Sequence, residues 1–177
     1  MSFAPQECFV LLVDFQARLM PAIAGAEAAV ANALKIAEAA RLLTVPVLAT
    51  EQNPKGLGAN VPAITAAASH TLTKMHFDAT REAAWSSFAP KGLKQAVVAG
   101  CETHVCVLQT VMGLRDKGYA VRLVADAVGS RTVENRQAAL ARAASRGAEI
   151  VTTEMVVFEW LATCEHPRFR DVLKAVK

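Results

Sequence analysis

Val97-Val98-Ala99-Gly100-Cys101-Glu102-Thr103-His104-Val105-Cys106-Val107 reads as the end of a buried strand, a break at glycine, a short turn and the start of a helix. The strand takes in Gln95 to Ala99. The helix runs from Thr103, expected to cap it, to Lys117, with Gly118 as its C-terminal stop. Cys106 falls in the first helical turn. Backbone N–H groups there have no intrahelical partners and the helix dipole is positive, so a thiol at that point is expected to ionise below its ordinary pKa. A thiol on such a turn requires the remaining chain to supply a sheet around it, a base and a pocket.

The strand-then-helix unit repeats on both sides. Upstream, Cys8-Phe9-Val10-Leu11-Leu12-Val13 is a continuous apolar run that stops at Asp14, the pattern of a strand covered on both faces. Ala26 to Leu43 is an amphipathic helix, with Val30, Ala33, Leu34, Ala37 and Ala40 at helical spacing. Val45 to Thr50 follows as a strand, Glu51 to Gly58 as a loop, Asn60 to Ala67 as a short helix and His70 to Lys74 as a strand. A helical turn is expected over Thr80 to Phe88, before the turn residues Pro90 and Gly92. Downstream, Tyr119 to Val124 is a strand, Thr132 to Ser145 a helix closed by Gly147, and Glu149 to Thr152 a last short strand. Parallel neighbours require a crossover and helices supply it. The expectation is therefore a single domain over 1–177, a three-layer α/β/α arrangement on a mostly parallel, roughly six-stranded sheet. Val156, Val157, Trp160 and Leu161 form one apolar surface near the end, and Phe169, Val172, Leu173 and Val176 another. The segment 153–177 either packs on its own domain or covers a subunit interface. The interface reading implies a homo-oligomer, a dimer or tetramer.

Composition narrows the classes of function. In 177 residues, 53% are hydrophobic and 20% charged, which describes a chain with a substantial core. The net charge is only +3 and the 19 Lys and Arg residues are scattered, so no nucleic-acid partner is expected. No apolar run reaches the ~18–20 residues of a membrane helix and no signal-peptide pattern is present, so a cytoplasmic protein without a membrane partner is expected. Cys8, Cys101, Cys106 and Cys164 are irregularly spaced with no CxxC pair, which indicates neither a disulfide scaffold nor a zinc site.

Ligands of open parallel sheets bind at the carboxyl ends of the strands. Asp14, Lys74 and the turn Gly100 to Cys106 all stand at such ends. A carboxylate near Cys106 can take its proton, an ammonium can organise the charges, and backbone N–H groups of the turn can receive a developing oxyanion. No Gly-rich phosphate loop follows the first strand, where Asp14-Phe15-Gln16-Ala17-Arg18 stands instead. That argues against a flavodoxin-like nucleotide binder.

Val13-Asp14-Phe15-Gln16, Lys74 and Gly100 to Val107 together resemble the isochorismatase-like, or cysteine hydrolase, superfamily. Glu51-Gln52-Asn53-Pro54-Lys55-Gly56-Leu57-Gly58 and Val124 to Arg131 extend the likeness over nearly the whole chain, toward the small single-domain isochorismatase domain-containing branch. The resemblance implies a catalytic triad of Asp14, Lys74 and Cys106, acting on a small-molecule amide or related acyl group through a Cys106 thioester. It also implies a non-proline cis peptide between Cys101 and Glu102, which would aim the backbone N–H groups of Glu102 and Cys106 at one oxyanion. Isochorismatases that cleave a vinyl ether can lack the cysteine, so Cys106 tilts the reading toward acyl transfer. The Asp-x-His…His metal pattern of nicotinamidases is missing, since no histidine lies between Thr50 and Ser69. No metal and no cofactor are therefore expected. Two other readings remain: a vinyl-ether hydrolase, and a weakly active binding or scaffolding protein that keeps the fold.

The neighbours carry paired expectations. Gln16 either donates its amide to substrate or ties down the loop after Asp14. Phe15, Phe77 and Trp85 either wall an apolar substrate pocket or fill the core. Cys101 is expected to be core filling, and His104 to face outward or toward a partner.

Overall fold

The computed structural model describes residues 3–177. In chain order it contains β1 (Cys8–Val13), α1 (Ala26–Leu42), β2 (Val47–Gln52), α2 (Pro54–Leu57), α3 (Pro62–Ala67), β3 (His70–Lys74) and α4 (Trp85–Phe88). These are followed by β4 (Gln95–Cys101), α5 (Leu108–Asp116), β5 (Ala120–Gly129), α6 (Val133–Ser145), β6 (Glu149–Val151), α7 (Thr153–Leu161) and α8 (Phe169–Val176). The strands form one six-stranded sheet in the order β3-β2-β1-β4-β5-β6, parallel at every pairing. This is the three-layer α/β architecture expected from the sequence.

The continuous apolar run of β1 has a direct cause. Its alternating side chains enter two different cores: Cys8, Val10 and Leu12 pack with α1, α7 and α8, while Phe9, Leu11 and Val13 pack with α5 and α6. With both faces covered, no position on the strand can be polar. The C-terminal helices belong to the first of these layers. Val156, Val157, Trp160, Leu161, Val172 and Val176 are buried there within the chain itself. Those residues of 153–177 pack within the chain, and Met155 and Phe158 are the exposed large apolar side chains of the segment.

Two strands run longer than their apolar residues indicate. β2 continues through Glu51 and Gln52, because these pair with Thr73 and Lys74 of β3. β5 continues to Gly129, past a register shift between Val98 and Gly100 of its neighbour. Pairing, not hydrophobicity, holds both extensions in the sheet. The helix after β4 differs too, since Thr103–Val107 is a π-helical segment and α5 proper begins at Leu108. Thr103 does not cap it. Its hydroxyl is buried without a hydrogen-bond partner, whereas Thr132 and Thr152 do cap α6 and α7, accepting from the N–H groups of Asn135 and Met155.

Candidate active site

The sheet order reverses at β1, from which β2 and β3 extend one way and β4, β5 and β6 the other. A crevice at the carboxyl end of such a switch point is where doubly wound sheets take ligands. Asp14 leaves β1 at this crevice with φ +53°, and the turn after β4 faces it. The two strands approach closely here. Gly100, the register partner of Val13, has φ +144°. A Cβ at that position would lie 2.2 Å from the Val13 carbonyl oxygen, so only glycine permits the contact.

Lys74, at the end of β3, reaches across the end of β2 to Asp14. Its Nζ lies 2.7 Å from Asp14 Oδ2, both side chains being fully excluded from solvent. The contact is ionic and lacks the alignment of a hydrogen bond. Lys74 Nζ also donates to Gln52 Oε1 at 2.8 Å. Thr50 Oγ1 donates to the other Asp14 oxygen at 2.6 Å. Burying a carboxylate and an ammonium is tolerable only with such pairing and further hydrogen bonds, and this constellation supplies both.

Cys106 is 6% exposed and lies against this pair. Its Sγ is 4.0 Å from Gln52 Oε1. The helix-terminus argument predicted an acidified thiol, and the environment has the opposite effect. Burial pushes the Cys106 thiol up to about 12, with the Asp14 charge adding to the rise and Lys74 opposing it. Desolvation of a thiolate outweighs the few N–H dipoles of the turn and favours the protonated thiol. The Cys101–Glu102 peptide is cis, and the Glu102 N–H takes no acceptor among the described residues.

A cleft of about 300 Å³ opens on these groups, lined among others by Asp14, Gln52, Phe77, Glu102, Cys106 and Arg131. Of the aromatics considered for it, Phe77 is present and 49% exposed. Phe15 and Trp85 are not: Phe15 is in the core beneath α1 and Trp85 in the core under α5, where large apolar side chains gain most from leaving water. Gln16 is fully buried. Its amide donates to the Gln52 and Gly58 carbonyls at 3.0 and 2.5 Å and accepts from the Gln52 N–H at 2.8 Å, so it ties down the loop and has nothing left for a substrate. His104 turns inward, its Nδ1 3.0 Å from Ser130 Oγ. Cys101 is buried in the core layer opposite Cys106. Among the described residues no cluster of three His, Cys, Asp or Glu side chains is arranged to hold a metal ion, and no helix is long and apolar enough to cross a membrane.

Sequence reasoning missed Thr50, Gln52 and the Glu102–Arg131 pair. Glu102 Oε2 accepts from both the Arg131 N–H at 3.1 Å and its Nε at 3.0 Å. The signal for Gln52 was its place in register with Lys74; for Arg131 it was only that a basic residue follows the strand beside β4.

Comparison with known proteins fits this geometry. Residues 8–155 match the family model described as the isochorismatase domain. Isochorismatase domain-containing protein 2A of Mus musculus is 33% identical over 173 residues, covering 98% of this chain and 84% of that protein. Among solved structures, the MAR1 ribonuclease from Caenorhabditis elegans superposes with a TM-score of 0.93 at 28% identity, covering 99% of this chain and 92% of the other. YcaC from Pseudomonas aeruginosa, solved with hexane-2,5-diol and covalent acrylamide, superposes with a TM-score of 0.90 at 25% identity, covering 98% and 91%. The chain belongs to the isochorismatase-like hydrolase family.

Proposed function

We propose that the protein hydrolyses a small amide or related acyl compound through a thioester on Cys106. The single observation that carries this reading is the place of Cys106 beside the buried Asp14–Lys74 pair, in the lining of a small cleft. As Cys106 Sγ bonds to the substrate carbonyl carbon, its proton passes to Asp14, so no free thiolate accumulates in the buried site. The carbonyl oxygen gains the negative charge, and the backbone N–H groups of Glu102 and Cys106 are the donors assigned to it. When the C–N bond breaks, Asp14 gives its proton to the leaving amine. Water then loses a proton to Asp14 and its oxygen attacks the thioester; the acid leaves, and the sulfur recovers the proton. Lys74 holds Asp14 in place throughout.

RNA cleavage, suggested by the name of the Caenorhabditis elegans relative, requires a basic track for phosphates. The cleft lining offers one exposed cation, Arg131. Ammonia release from a panel of small amides and ureides tests the proposal: turnover by the native chain that Cys106→Ala abolishes supports it, and turnover that survives Cys106→Ala removes it.

A further inference from the structure

Arg131 is the group at the cleft that the hydrolytic steps leave without a task. Its guanidinium is held by one edge only: Nε and the residue's own N–H both donate to Glu102 Oε2. Among the described residues no acceptor engages its Nη atoms, and the side chain is 61% exposed and lines the same cleft as Cys106. Glu102 itself is only 10% exposed, so it acts as a fixed bracket that sets the rotamer of an otherwise flexible arginine. An anchored guanidinium with a free Nη edge is a planar donor fork, and the group that matches such a fork is a carboxylate.

The charges around it do not oppose an anion. Each carboxylate facing the cleft already has its cation, Lys74 for Asp14 and Arg131 for Glu102. The rest of the cleft lining is largely apolar, with Leu19, Ala22, Leu57, Phe77 and Val105. At about 300 Å³ the cleft lies at the small end of ligand sites.

We propose that Arg131 is a specificity-determining residue. The substrate it selects carries a carboxylate at the far end of a short apolar chain from the scissile acyl group, as in the monoamide of a small dicarboxylic acid. This rests on the hydrolase reading for its second half only; the anion subsite stands or falls by binding alone.

The experiment has two arms. In the first, kcat/KM is compared for succinamate against butyramide and for glutaramate against valeramide, pairs that exchange a carboxylate for a methyl group. The anionic member should be preferred about tenfold or more, mainly through KM, a modest factor because the guanidinium is partly screened by water. Arg131→Gln should abolish the preference, read as the ratio of kcat/KM within each pair, in which any general change in rate from leaving Glu102 without its cation cancels. Arg131→Lys keeps the charge but lacks the fork, and should retain only part of the preference. Equal rates within each pair, or a preference that persists in Arg131→Gln, overturn the proposal.

The second arm needs no turnover: Cys106→Ala protein is titrated calorimetrically with glutaramate and with valeramide. Glutaramate should bind about tenfold tighter, and the difference should vanish when Arg131→Gln is added. If no amide is turned over by the native chain yet glutaramate binds through Arg131, the hydrolase reading falls and the subsite stands. If Cys106 turns over amides while glutaramate and valeramide bind alike, only the subsite falls.

Discussion

Replacing Lys74 with Met is the most informative single perturbation of the site. The ammonium and the Asp14 carboxylate are 2.7 Å apart with no solvent access to either side chain. Methionine keeps an apolar stem and removes the charge, so Asp14 is left buried without a cation and Gln52 Oε1 loses its 2.8 Å donor. Removing one partner of a buried pair costs about 3–5 kcal/mol, and an orphaned acceptor adds about 1 kcal/mol or more. For a chain of this size that loss, about 4–6 kcal/mol together, lowers the melting temperature by about 8–24 °C, at about 2–4 °C per kcal/mol. The assay is urea unfolding at neutral pH, paired with calorimetry. Adding Asp14→Asn should restore most of the loss, to within about 1–2 kcal/mol of native, because no charge is then buried and an amide oxygen still accepts from Thr50. A Lys74→Met chain that loses less than about 1 kcal/mol, or a double variant less stable than the single, refutes the reasoning.

Other predictions follow from the same geometry. Alkylation of Cys106 by iodoacetamide should be slow at neutral pH and still rising at about pH 10, since the thiol is pushed up to about 12; exposed Cys164 provides the internal reference. Asp14→Asn should bring the thiol down by removing a charge that raises it, so a plateau near pH 7 in the native chain would contradict the burial argument. Gly100→Ala should cost about 3 kcal/mol or more in urea unfolding, because its Cβ would meet the Val13 carbonyl at 2.2 Å from a left-handed backbone; a near-neutral result would show that β1 and β4 can separate at this end. Stability should also fall on the alkaline side. Burial raises Cys8 to about 11 and Cys101 and Cys106 to about 12. Below about pH 9 both states keep these protons and the stabilisation is complete. As pH rises further only the unfolded thiols ionise, and each withdraws up to about 1.4 kcal/mol per pH unit until its folded pKa is reached. Urea midpoints that stay flat from about pH 8 to pH 10 contradict this, and Cys101→Ala should make the slope shallower.

The sheet was legible in the sequence because burial on both faces leaves no room for polar residues: Cys8 to Val13 and Gln95 to Ala99 announce themselves. Asp14, Lys74 and the Cys106 turn were legible as candidates that the fold brings together, because each interrupts or ends such a run. Gln52 was not, since a polar residue beyond the apolar part of β2 reads as loop until its pairing with Lys74 is known. Glu102 and Arg131 are 29 positions apart, and only the parallel pairing of β4 with β5 brings them together. The aromatics could not be sorted by type: Phe15, Phe77 and Trp85 are equally apolar, and only Phe77 falls outside the two cores. For the thiol, the helix start is visible in the sequence and the depth of burial that raises it is not.

The claim that matters most is that Cys106 carries the acyl group. Intact-mass spectrometry of the native chain, quenched in acid during turnover of p-nitrophenyl acetate, measures it directly. One acetyl group should appear, map to the peptide containing Cys106, and decay as hydrolysis proceeds; Asp14→Asn should form it more slowly and Cys106→Ala not at all. An adduct that maps elsewhere, or steady turnover with no acyl-enzyme and no loss in Cys106→Ala, would contradict the account.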